Sequence, residues 1–256
     1  MRAVILAAGR GSRLGPLTEE RPKALVEVGG ESLLSCQMSA LRAAGVSDIA
    51  IVTGYSQEAI RFSSVTMLHN ERWASTNMVR SLMVARDWLC SSPCVVSYAD
   101  ILYSSDAVRR LLDLVADVAI TYDPNWKELW QERFGVAALD AETFRCDQKT
   151  GRLFEIGNSI TDEDAVEGQY MGLLRFSPAG YQSLISLVSR MSPGEVDSLS
   201  MTKVLALMLE AGQEILTVPI VDAWMEIDSV SDLALCERMV ATGRLRLPNS
   251  NAGPHV

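Results

Sequence analysis

The residue types best suited to chemistry crowd the start of the chain: Leu6-Ala7-Ala8-Gly9-Arg10-Gly11-Ser12-Arg13-Leu14, then Pro22-Lys23 and Gly29-Gly30. The apolar run at residues 3–6 reads as a strand buried on both faces, delivering the chain into a turn of small residues. Gly9 and Gly11 permit backbone angles closed to other residues, so successive N–H groups can converge on anionic oxygens. Arg10, Arg13 and Lys23 add charge-assisted donors, and the ligand this implies is a triphosphate. The stretch lacks the third glycine of a dinucleotide fingerprint and the Gly-Lys-Ser/Thr ending of a Walker loop, which demotes both. The plainer alternative is a glycine turn with solvated arginines.

Carboxylates supply the second chemistry. Asp100 closes the apolar run at residues 93–98, and in open α/β sheets ligands sit beyond the carboxyl ends of strands. The alternative is that Asp100 caps the next helix. In Asp222-Ala223-Trp224-Met225-Glu226-Ile227-Asp228, strand alternation puts Trp224, Glu226 and Asp228 on one face. Two like charges so close repel unless solvated or bridged by a cation, and with Asp100 available a magnesium site is the expectation.

These groups must be carried by elements, and apolar strand-like runs alternate along the chain with helical patterns. That alternation signals an α/β, Rossmann-like mixed but mostly parallel sheet with helices on both faces. After the first strand, Leu33, Leu34, Met38 and Leu41 recur at helical spacing until Gly45, and residues 48–53 form the second strand. Strands are expected at 65–68, 93–98, 169–176 and 214–219, and helices at 77–89, from Pro178, at 200–209 and at 231–242. The segment 122–158 breaks this rhythm. Its short runs 135–139 and 152–156 suggest a hairpin over the site with a loop at 147–151, within a lid or acceptor insertion spanning about 122–172. Residues 1–246 read as a single domain and 247–256 as a frayed tail.

Composition sets the class. With 256 residues the chain can bury a substantial core, and 32 acidic against 23 basic side chains argue against a nucleic-acid polymer as partner. Five cysteines, without zinc-type pairs, fit a reduced cytoplasmic protein, and Cys90 and Cys94 read as buried thiols. No signal peptide or membrane-length apolar run is visible. Only His69 and His255 are present, so a Ser-His-Asp or Cys-His scheme has almost no material.

The string LAAGRGSRLGPLTEERPKALVEVGG resembles the signature of nucleotidyltransferases that join NTPs to sugar phosphates, phosphocholine or phosphonates. By motif position the resemblance implies that Leu6, Ala7, Ala8, Gly9, Gly11, Ser12, Arg13 and Lys23 hold the nucleotide. It also implies that Asp100, Glu226 and Asp228 hold magnesium, and that Lys23, Arg13 and Asp100 carry catalysis. Trp73-Ala74-Ser75-Thr76-Asn77-Met78-Val79-Arg80-Ser81-Leu82 is similar to the segment where cytidylyltransferases meet the pyrimidine, implying Asn77 and Ser81; capping plus a solvated hydroxyl is their alternative.

For the acceptor, the residues to weigh are Arg80, Trp126, Arg133 and Tyr170. An aromatic wall with acidic neighbours fits an amine such as choline, whereas one with Arg80 and Arg133 fits an anionic phosphonate; Trp126 and Trp130 can also simply pack the lid. DPNWKELWQERF and GQYMGLLRFSPAG resemble the phosphonate cytidylyltransferases more than the choline enzymes. The resemblance therefore implies CMP transfer from CTP to a small phosphonate such as phosphonoformate, hydroxyethylphosphonate or aminoethylphosphonate, with magnesium as cofactor and a homodimer among the possible states. Rivals are the same reaction on phosphocholine or a sugar 1-phosphate, and a catalytically silent nucleotide sensor.

Overall fold

The computed structural model describes residues 1–160 and 166–248. Seven strands form the central sheet, in the order Leu216–Pro219, Val118–Asp123, Gln169–Phe176, Cys94–Tyr98, Arg2–Ala7, Asp48–Thr53 and Thr66–His69. Only Gln169–Phe176 runs against the others. Successive residues Ala3, Val4 and Ile5 are all 0% exposed, so both faces of the first strand are covered. The covering helices fall into two sets that pack among themselves. Leu33–Ala43 lies against Ser105–Asp113, while Pro178–Val188 lies against Arg86–Ser91 and Met201–Glu210. The mostly parallel α/β sheet expected from the pattern is the observed one.

Local chemistry sets the boundaries. Ser32 caps the first helix by accepting from the Ser35 N–H, and Ser229 with Asp232 forms a reciprocal capping box on the last, Val230–Ala241. The helix expected at 77–89 is two, Met78–Val84 and Arg86–Ser91, meeting at Ala85.

The insertion departs from expectation. Residues 126–134 form an α-helix ended by Gly135 in the left-handed region (φ 74°), and Ala137–Asp140 is a 3-10 turn rather than a strand. The hairpin instead pairs Glu142–Cys146 with Leu153–Ser159. Its first strand alternates, with Phe144 and Cys146 buried and Arg145 between them exposed, whereas Val136 (55% exposed) and Leu139 (70%) have no core to face. The turn at 147–151 stands as expected, with Asp147 Oδ1 accepting from the Lys149 and Thr150 N–H groups. Cys90 is exposed and only Cys94 of that pair is buried. Leu247, assigned to the tail, is buried against Gly29; residues 249–256 lie outside the described part of the chain.

Candidate active site

The first strand ends at Ala7, and the chain passes through Gly9 and Gly11 into a 3-10 turn. Gly11 has φ 75°, and a Cβ there would lie 2.6 Å from Lys23 Cβ, so the left-handed geometry and the lysine stem both require glycine. Gly9 differs from expectation. Its φ is not positive and a Cβ would meet nothing within 4 Å, so it leaves open space rather than relieving strain.

A cleft of about 290 Å³ opens beside this loop, lined by Leu6, Ala7, Ala8, Gly9, Gly11, Arg13, Lys23, Asn77, Ser81, Asp100, Glu226 and Asp228. Twelve of the thirteen residues expected to bind nucleotide or metal thus share one cavity; Ser12 is exposed and does not line it. Arg10 also stays outside, its guanidinium 5.3 Å from the Tyr55 ring centroid. Trp73, Thr76, Met78 and Tyr98, with Ala24 and Ala99, complete the wall. Asn77 caps its helix through an Oδ1 bond from the Met78 N–H, and Ser81 Oγ accepts from Asn70 Nδ2 at 3.1 Å, so both fill structural roles while facing the cleft.

The acids meet through a very short ladder. Met225–Glu226 pairs antiparallel with Ile101–Leu102, Glu226 opposite Ile101, and the Ile227 N–H donates to the Asp100 carbonyl at 2.9 Å. The strand expected over 222–228 is therefore only two residues long, and Trp224 is buried beside Trp130 instead of facing the cleft. One oxygen each from Asp100, Glu226 and Asp228 fall within 4.8 Å of one another. Asp100 does not cap the next helix, whose cap is Ser104. Gln37 fixes the turn that carries Asp100. It is 1% exposed, and its Nε2 donates to the carbonyls of Tyr98 (2.8 Å) and Ile101 (2.6 Å). A glutamine inside the apolar stripe of Leu33, Leu34, Met38 and Leu41 was the legible signal for this role.

Three cations balance the acids. Lys23 Nζ lies 2.8 Å from Asp100 and 2.5 Å from Asp228, Arg13 Nη2 lies 3.0 Å from Asp228, and Arg133 Nη1 lies 3.0 Å from Glu226. Burial alone would lower the Lys23 pKa, but Asp100 and Asp228 outweigh it and the shift is upward. Asp228 is held below the usual carboxylate range because Lys23, Arg13 and Arg133 overcome its desolvation. Glu226 is pushed up to about 7 by burial and by Asp228 and Asp100. Asp100 Oδ1 is buried without a hydrogen-bond partner. Clustered hard oxygens, one of them unsatisfied, suit a small divalent cation.

A second cavity, about 310 Å³, shares Arg13, Asn77, Tyr98, Glu226 and Asp228 with the first. Its far wall holds Trp130 and Tyr170, the latter one of the acceptor candidates, together with Phe144, Asp140 and Glu142, which were not foreseen. Arg80 is not there: it pairs with Asp197 at 2.6 Å on another surface. Trp126 is 1% exposed, its Nε1 donating to the Val166 carbonyl, so it packs the insertion while Trp130 faces the cavity. The Arg133 side chain is 0% exposed and committed to acids, hence withdrawn from any acceptor.

Residues 3–153 match the MobA-like NTP transferase domain family. A CTP:phosphoglutamine cytidylyltransferase of Campylobacter jejuni is 33% identical over 252 residues, covering 91% of this chain and 98% of that protein. This chain belongs to the MobA-like NTP transferases. A 2-aminoethylphosphonate cytidylyltransferase of Lancefieldella rimae is 32% identical over 41% of the chain and 45% of that protein. A solved CTP:phosphocholine cytidylyltransferase of Streptococcus pneumoniae shares the fold, with TM-score 0.70 at 23% identity, covering 93% of this chain and 98% of that one. Among the described residues no helix of this NTP transferase is long and apolar enough to cross a membrane.

The raised Glu226 pKa gives this NTP transferase an unusual pH response. Between its ordinary value of 4.5 and about 7, the folded protein binds a proton that the unfolded chain has released, so stability falls as pH rises through that window. In EDTA, Tm is expected to drop from pH 5 to pH 7.5, and added Mg²⁺ to restore it more at pH 7.5 than at pH 5. A metal-free Tm that climbs over this range would contradict the crowding of the three acids.

Proposed function

We propose that the chain transfers CMP from CTP to a small acceptor that joins a phosphonate or phosphate group to an amino group, releasing pyrophosphate. The carrying observation is the second cavity. It meets the acids at one end, and at the other presents Tyr98, Trp130, Phe144 and Tyr170 with Asp140 and Glu142; Arg13 is its only basic residue among those described. An acceptor bearing only negative charge meets a wall of its own sign, whereas an ammonium gains from both carboxylates and ring faces. Arg80 and Arg133, which favoured a purely anionic acceptor, lie elsewhere or are neutralised. The names of the relatives, phosphoglutamine, choline-phosphate and 2-aminoethylphosphonate cytidylyltransferases, support cytidine as the nucleoside and a nitrogen-bearing acceptor.

In the reaction an acceptor oxygen attacks the α-phosphorus of CTP in line with the departing pyrophosphate. The nucleophile is already an anion, so no general base is required, and the obstacle is the approach of two anions. Arg13 and Lys23 lower it with fixed positive charge, the backbone turn at Gly9–Gly11 lies beside the cleft to receive phosphate oxygens, and Asn77 and Ser81 line the cleft where the base would sit. Asp100, Glu226 and Asp228 would hold Mg²⁺, which when bound supplies electrostatic stabilisation of the phosphate charge.

Pyrophosphate release across the four NTPs, against aminoethylphosphonate, phosphocholine, phosphoglutamine, hydroxyethylphosphonate, phosphonoformate and glucose 1-phosphate, tests this reading. CTP is expected to be preferred, and an amino-bearing acceptor to exceed hydroxyethylphosphonate at least about tenfold in kcat/KM. Equal use of hydroxyethylphosphonate would remove the amine from the proposal. CTP binding with no pyrophosphate from any acceptor would make the protein a sensor.

A further inference from the structure

Arg133 lines neither reactant cavity, yet it reaches two of the three clustered acids and a further one, Asp232. Its Nη1 donates to Glu226 Oε2 at 3.0 Å and its Nε to Asp232 Oδ1 at 3.0 Å. The third nitrogen, Nη2, makes no hydrogen bond and lies 3.9 Å from Asp228 Oδ2. Asp232, 2% exposed, spends its other oxygen on the Asp228 N–H (3.1 Å), the Ser229 N–H (2.9 Å) and the Ser229 hydroxyl (2.8 Å). The guanidinium therefore ties Glu226, at the end of the two-residue ladder, to the turn that aims Asp228. Its own plane is held by the rings of Trp130 and Phe134, whose centroids lie 5.2 and 4.7 Å from Cζ.

We infer that Arg133 is a positioning residue whose fork sets the spacing of the Glu226 and Asp228 carboxylates for the divalent cation, an inference that rests on the proposed function. Two carboxylates two positions apart and a third immediately before the facing strand of the same ladder repel, and that ladder is too short to hold them against the repulsion. A point charge on their far side would reduce the repulsion without fixing direction. A planar fork with separate bonds to Glu226 and Asp232 fixes both. The residue comes from the insertion helix, so the segment that lines the acceptor cavity also frames the acids.

Arg133→Lys separates geometry from charge, since it keeps the cation and loses the fork. The measurement is Mn²⁺ binding by EPR with α,β-methylene-CTP at saturation, alongside kinetics with the best acceptor. Mn²⁺ affinity and kcat are each expected to fall at least about tenfold, with KM for CTP within about twofold of wild type. Wild-type Mn²⁺ binding and turnover in Arg133→Lys would overturn the inference and leave the guanidinium a simple counter-charge. Should that variant fail to fold by circular dichroism, Asp232→Asn carries the same expectation, because an amide cannot serve both Arg133 and the Asp228–Ser229 backbone. A wild-type enzyme that neither binds Mn²⁺ nor releases pyrophosphate sinks the functional reading instead, whatever the variants do.

Discussion

Lys23→Ala is expected to lower kcat for pyrophosphate release by about a thousandfold or more, at the upper end of what one lost electrostatic donor costs. The Lys23 side chain is 11% exposed, contacts two of the three clustered acids, and is the innermost cation facing the cleft; Arg13, paired with Asp228 but 71% exposed, is a more solvent-screened substitute. The loss should reach stability too. Without Lys23, Asp100 and Asp228 face each other partly buried and less compensated, and breaking such a pair costs up to about 3–5 kcal/mol. The two effects separate by titrating metal. A divalent cation can occupy the space between the freed carboxylates, so Mg²⁺ should recover much of the lost Tm in Lys23→Ala while leaving the rate low. Full turnover by this variant would remove the cleft from the chemistry altogether.

Asp100→Asn should produce a loss of rate of similar size with the opposite effect on the resting protein. The substitution preserves shape and keeps one oxygen near Lys23, so the scaffold around Gln37 is undisturbed. What disappears is one of the three acids that converge within 4.8 Å, the one whose second oxygen is buried without a hydrogen-bond partner. We expect kcat to fall about a thousandfold and the metal-free Tm at pH 7.5 to stay level or rise, because mutual repulsion is relieved. A variant that loses several degrees of Tm while retaining rate would show that Asp100 is a structural partner of Lys23 and nothing more. Thermal melts in EDTA and initial rates at saturating Mg²⁺ decide it.

The side of the cleft proposed for the nucleotide was readable because each of its residues sits in a short contiguous motif or at a strand end. A buried strand, a glycine turn, a lysine after proline and an acid closing an apolar run all announce themselves locally. The acceptor side was not, for a physical reason. Apart from Tyr170, on a strand the pattern did show, its wall is assembled from side chains on a 3-10 turn, a five-residue strand and a nine-residue helix, each too short for a period to stand out. Glu142 and Phe144 lie on a strand whose alternation spans only ETFRC, while the more apolar GVAAL run beside it attracted the assignment. Arg80 and Arg133 misled because sequence shows a cation without its partner. One is bound by Asp197, the other by Glu226 and Asp232, and those pairings depend on long-range packing. Asp232, half of a capping box with Ser229 and the other anchor of Arg133, was not singled out in the sequence.

The reversed strand has an evolutionary corollary. Gln169, where it begins, pairs with Asp123, where the preceding sheet strand ends, so the chain leaves and rejoins the sheet at adjacent positions. Everything between is a detour with fixed, touching ends, which can be lengthened, trimmed or exchanged as a cassette while the nucleotide loop and sheet stay as they are. On the proposed function, acceptor range diversifies by grafting across that junction, under one restriction: the incoming piece must bring its own guanidinium to the two acids waiting on the last helix and on the two-residue strand before it.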